Sequence, residues 1–127
     1  TADAKAANPP LFKVMKTFSW DGGLTWTSPE TVFASSDIQL CEPGAIRSPD
    51  GSELLVLLRE NARKKNAHMI VSRDEGATWS AFTRLSPQGV KGDFPRVVSV
   101  KGRFVAFWTE KDRDGMVSWR MKNLEDR

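Results

Sequence analysis

Two residues in this chain have the types and the spacing to do chemistry together. Glu42 and Arg59 each lie eight or nine positions from the pair Asp50-Gly51, on opposite sides of it. A hairpin folded at that pair brings both side chains to one end of a small sheet. A guanidinium offers a carboxylate a planar fork of N–H donors and stays charged at any working pH, which a lysine does not reproduce. The same spacing also describes a plain cross-strand ion pair, exposed and worth little. Two further groups of cations stand in loops, the second of them at that same end of the hairpin order. Arg113 stands in the loop Lys111-Asp112-Arg113-Asp114-Gly115, and Arg63-Lys64-Lys65 forms a short basic run. The run could draw in an anionic ligand, although both stretches also read as solvated turns.

Other chemistries lack their parts. His68 is the single histidine and Cys41 the single cysteine, so a metal cluster, a histidine-based triad and an internal disulfide have no material. No metal or cofactor is expected. The chain of 127 residues contains no tyrosine. A net charge of +3 is mild and dispersed, which argues for no nucleic-acid partner. No apolar run approaches the ~20 residues that cross a bilayer, so no membrane span is expected. There is no initiator methionine, and Thr1 to Ala7 lacks the apolar centre of a signal peptide. Either processing removed one, or the sequence is a segment of something longer.

The elements that would position Glu42 and Arg59 are read from an eight-residue phrase that occurs twice. Ser19-Trp20-Asp21-Gly22-Gly23-Leu24-Thr25-Trp26 returns as Ser72-Arg73-Asp74-Glu75-Gly76-Ala77-Thr78-Trp79. Ser19, Asp21, Gly23, Thr25 and Trp26 recur as Ser72, Asp74, Gly76, Thr78 and Trp79. Such a phrase reads as a hairpin turn. Its Asp accepts backbone N–H groups just ahead, its glycine supplies a positive φ, and Thr-Trp opens the next strand. The large indole is expected to anchor the hairpin against its neighbour.

Around the two phrases the chain reads as short strands. Residues 1–10, ending Asn8-Pro9-Pro10, read as a tail or linker. Leu11 to Phe18 enters the first phrase, and Thr25 to Phe33 leaves it, interrupted at Ser28-Pro29 as an edge strand would be. A loop is expected from Ala34 to Leu40. Glu42 to Arg47 then runs through the turn Ser48-Pro49-Asp50-Gly51-Ser52 into Leu54-Leu55-Val56-Leu57-Leu58, an apolar run expected to be buried on both faces. After the loop Asn61 to Asn66, Met69-Ile70-Val71 enters the second phrase and Trp79 to Leu85 leaves it. The order then restarts. Phe94-Pro95-Arg96 aligns with Glu42-Pro43-Gly44, Lys101-Gly102 replaces the Pro-Asp-Gly turn, Phe104 to Trp108 replaces the apolar run, and Met116 to Met121 forms a third strand.

The period is about fifty residues, with four antiparallel strands in each unit. Repeats of that kind suggest the blades of a β-propeller. The expected fold is therefore all-β: the end of one blade over residues 11–33, a complete blade over 41–85 and an incomplete one over 93–127. Such a portion needs further blades, from the same longer chain or from other copies.

Ser-x-Asp-x-Gly-x-Thr-Trp resembles the Asp box, or bacterial neuraminidase repeat, of the sialidase superfamily of six-bladed propellers. The stretch from Cys41-Glu42-Pro43-Gly44 through Asp50-Gly51 to Leu57-Leu58-Arg59-Glu60-Asn61 resembles that family too. The resemblance implies an exo-α-sialidase, a glycoside hydrolase that removes terminal sialic acid without metal or cofactor. Glu42 would assist the family's tyrosine nucleophile. Arg59 would be the second arginine of a carboxylate clamp and Arg113 the third. The family's first arginine, acid/base aspartate and nucleophilic tyrosine have no counterparts here, so this chain by itself is expected to be inactive. The resemblance also suggests a sialylated or other acidic glycan as partner and a secreted or periplasmic location. Both boxes should be structural, because chain reversal at every turn sets them opposite Glu42 and Arg59. A non-catalytic propeller that binds glycans or proteins is the alternative, since such boxes specify blades and no chemistry.

Overall fold

The two repeat turns are closed by side chains that satisfy their own backbone. In the first repeat turn Asp21 accepts the Thr25 N–H at 2.9 Å, the Thr25 hydroxyl at 2.6 Å and the Ser19 hydroxyl at 2.9 Å. The Ser19 hydroxyl in turn accepts the Gly23 N–H at 2.7 Å. The second turn repeats this set with Asp74, Thr78, Ser72 and Gly76 at 2.8, 2.5, 2.8 and 2.8 Å. Each turn needs two successive left-handed residues: Gly22 and Gly23 in the first, Glu75 and Gly76 in the second. Glu75 adopts φ +56° although it has a side chain, and Arg47 holds its carboxylate with two bonds of 2.7 and 2.6 Å.

The computed structural model describes residues 11–62, 67–86 and 91–124. The expected tail at 1–10, the basic run Arg63-Lys64-Lys65 and the last three positions lie outside the described residues. Among those described there is no helix, hence none long and apolar enough to cross a membrane, and all strand pairing is antiparallel. The chain divides into two units, one ending at Gln39 and one beginning at Leu40.

The first unit is a single hairpin of β1 (Phe12–Lys16) and β2 (Glu30–Ser35), with a register shift at Val14/Met15. The outgoing strand begins just after Pro29 and continues through Ser35, past the Ala34 expected to start a loop. Between the strands, Thr17 and Thr27 tie the stem together through their hydroxyls and backbone. Trp26 departs from its expected role as an anchor. It is 61% exposed, and its indole N–H donates to Gly23 in its own turn at 3.0 Å.

The second unit holds two sheets. One is ordered β3 (Leu40–Arg47), β4 (Leu54–Glu60), β5 (His68–Ser72) and β6 (Thr83–Arg84). The other is ordered β7 (Lys91–Val100), β8 (Arg103–Lys111) and β9 (Val117–Asn123). Of the run Leu54 to Leu58, Leu55 to Leu58 are buried at every position and Leu54, next to the turn, is half-buried. β6 is far shorter than the strand expected from Trp79 to Leu85. The Ser80 hydroxyl, in place of a backbone carbonyl, accepts the Val71 N–H at 3.0 Å and interrupts the ladder. The turn at Lys101-Gly102 has φ of +48° and +79°, the two left-handed residues of a two-residue hairpin.

The core of this unit lies between its two sheets. Leu55 and Leu57 on β4, with Met69 and Val71 on β5, pack with Phe104, Ala106 and Trp108 of β8. Ala67, Leu85 and Leu124 complete the cluster. In β8 the buried positions alternate with less buried ones, so its other face carries Val105 and Phe107.

Candidate functional site

Glu42 is displayed by a bulge. Cys41 pairs with Arg59 and Gly44 with Leu57, so Glu42 and Pro43 together face Leu58 alone. The bulge puts Glu42 at φ +50°, a left-handed conformation that costs a non-glycine residue roughly 1–2 kcal/mol. The carboxylate is thereby turned onto the end of β4, where it accepts a 2.7 Å hydrogen bond from Nη1 of Arg59. The hairpin about Asp50-Gly51 thus brings together the two residues that the sequence spacing pairs.

Arg59 is held on more than one side. Nη2 donates to Oδ1 of Asn61 at 3.3 Å, and Nε lies 3.7 Å from Oδ1 of Asp93 on β7. The guanidinium is therefore gripped by carboxylates from both sheets of the unit. Its side chain is only 21% exposed, against 64% for Glu42. The hydrogen bond to Glu42 raises the pKa of Arg59 further above its ordinary value, so it stays a cation throughout. Burial and the neighbouring Glu42 push the Cys41 thiol up, which leaves it a poor nucleophile. Glu60, next to Arg59, turns inward rather than outward. It is buried and accepts the Ala62 N–H at 3.2 Å. His68 is buried on β5 opposite Leu58.

Asp93 is the residue that sequence reasoning passes over. The alignment of Phe94 with Glu42 sets Asp93 at the place of Cys41, and the structure repeats the bulge there. Asp93 pairs with Thr109 and Arg96 with Phe107, leaving Phe94 at φ +52° before a proline, as Glu42 is. The shared X-Pro dipeptide was the available signal.

Arg113 lies in the exposed turn between β8 and β9, at the same end of the second unit as Asp93 and Arg59. It makes no ion pair or hydrogen bond with Glu42 or Arg59 among the described residues. The second repeat turn is at the opposite end. Its Ser72 pairs with Leu54, whereas the Arg59 end of β4 lies beyond the pair Leu58–His68. There Arg47 ties Glu75 to the Gly51 carbonyl, and Arg73 bonds Glu53 at 2.8 Å. Hydrogen bonds from Thr78 and Ser72 hold the Asp74 carboxyl at about 2, and those from Thr25 and Ser19 do the same for Asp21. Each carboxylate, holding three hydrogen bonds within its own turn, acts as a brace.

No family model and no curated protein matches the chain. The fold does have a counterpart among solved structures. A crystal structure of a protein of unknown function from Dyadobacter fermentans DSM 18053 is similar over 86% of this chain, with a TM-score of 0.61 and 22% sequence identity. The chain spans 29% of the length of that protein. At this identity the likeness is one of backbone architecture alone.

The arrangement can do two things chemically. Arg59 can exchange its bond to Glu42 for the carboxylate of a ligand, and Glu42, so released, can accept a proton or polarise a hydroxyl beside it.

Proposed function

We propose that this chain is the central part of a sialidase-like β-propeller, in which Arg59 binds the carboxylate of a sialic acid and Glu42 polarises the nucleophile. The observation that carries the reading is the 2.7 Å Glu42–Arg59 pair at one end of a sheet whose Asp-box turn lies at the other. Arg113, at the Arg59 end, is the further cation for the same carboxylate. The propeller itself draws support from the packing of the second unit. The face of β4 and β5 bearing Leu57 and Met69 packs on the third sheet. The same register positions in the third sheet are held by Phe107 and Met121, and Met121 is 77% exposed beside an exposed Trp119. A further sheet seated there would continue the stack as blades do. The tyrosine needed for a covalent intermediate would come from outside these 127 residues.

The test is hydrolysis of a fluorogenic α-sialoside by the full-length gene product and its Arg59→Ala variant. The reading requires kcat/KM to fall by roughly tenfold or more, the worth of a charge-assisted hydrogen bond. Turnover unaffected by the substitution would remove Arg59 from the site. A second reading is favoured by the two carboxylates already on Arg59. An arginine already answered by two carboxylates suits a propeller that binds glycans or proteins without chemistry, and it is distinguished by Arg59-dependent binding with no turnover.

A further inference from the structure

The end of the third sheet encloses a cavity of about 280 Å³ beside the Asp93–Phe94 bulge. Its apolar wall is made by Phe94 and Val117, which are 53% and 61% exposed. Thr109 stands behind them, its hydroxyl bonded to the Asp93 carbonyl at 3.2 Å. Two lysines also line it. Lys91 and Lys111 are direct cross-strand partners, and neither makes an ion pair among the described residues. Like charges placed opposite one another in a ladder are destabilising unless something answers them. The two carboxylates in the lining are committed elsewhere. Asp93 accepts the Phe94 N–H at 2.9 Å and lies 3.7 Å from Arg59 Nε, and Glu110 takes Trp108 Nε1 at 2.9 Å and Arg120 Nε at 2.8 Å. Asp112, in the next turn, accepts the N–H groups of Asp114 and Met116.

We infer that this cavity is a binding site for a small anion with an apolar body. Lys91 and Lys111 answer its carboxylate, and Phe94 and Val117 cover its hydrocarbon part. The site borders the Arg59 cluster through Asp93, but its ligand contacts and its test do not depend on the sialidase reading. Phe94 supports the assignment through its backbone. A bulky aromatic held at φ +52° before Pro95 is strained, and the strain exposes an apolar ring instead of burying it.

The experiment is a residue-resolved NMR titration of the chain with acetate, butanoate and hexanoate. Affinity should rise roughly fourfold for each buried methylene, with shifts centred on Gly92, Phe94 and Val117. Phe94→Gly suits the left-handed backbone, so the fold should be kept while the dependence on chain length disappears. Replacing Lys91 and Lys111 by glutamine should weaken every member of the series alike and leave that dependence intact. Equal affinity for acetate and hexanoate would overturn the inference, as would shifts centred on Phe107, Trp119 and Met121. So would a Phe94→Gly variant that binds hexanoate as the parent does. None of these readouts involves sialoside turnover, so the two proposals fail separately.

Discussion

Asp74 and Glu42 are both exposed carboxylates, yet their neighbours give them opposite work. Asp74 accepts three hydrogen bonds from Thr78 and Ser72, and its carboxyl is held at about 2 against an ordinary 3.8. The turn therefore contributes stability at every pH above about 4 and loses it as pH falls towards 2. Urea melts across that range should show the parent weakening in acid. Asp74→Ala should start several degrees lower in Tm and show a shallower acid limb. Glu42 has one strong partner and a strained backbone. Glu42→Gly relieves the left-handed φ and should raise stability by up to about 1 kcal/mol while removing the contact to Arg59. A thermal melt read beside a sialic acid titration checks the pair of effects. A more stable variant that still binds sialic acid, its Arg59 freed of the competing carboxylate, is the expected result.

The strands show which parts of the design were open to sequence reasoning. The turns were legible because Asp, Ser, Thr and Gly complete their hydrogen bonds within five residues, so the local text contains the whole interaction. The buried run Leu55 to Leu58 was legible for the same reason, from an unbroken apolar string between turn signals. What escaped depends on partners distant in sequence. Nothing local tells Ser80 to cap Val71 and cut β6 to two residues. The bulges at Glu42 and Phe94 follow from pairing with β4 and β8. Hence the Glu42–Arg59 half of the site was readable from hairpin arithmetic, whereas Asp93 arrives from another sheet. Packing gives the element-scale prediction. Met69 and Met121 hold the same register position in their sheets, at 2% and 77% exposure. Met69→Ala should cost about 2–5 kcal/mol in urea unfolding. Met121→Ala should change stability by less than about 0.5 kcal/mol.

In the second unit the two ends are built differently. One is fastened by Asp74, Arg47–Glu75 and Arg73–Glu53, with each charge answered by a near neighbour. The other holds Arg59 between Glu42 and Asp93 beside two strained bulges, with Arg113 in the turn at the same end. The proposed sialidase-like reading requires such a difference between the two ends, with the braced turns away from Arg59. A backbone likeness to a larger protein of unknown function leaves that chemistry to experiment. The most direct measurement is a residue-resolved NMR titration of the chain with N-acetylneuraminic acid. The account predicts shifts at Glu42, Arg59 and Asp93, lost in Arg59→Ala, with Asp74 to Trp79 unmoved. Binding that centres on Asp74 to Trp79, or that survives Arg59→Ala, would contradict it.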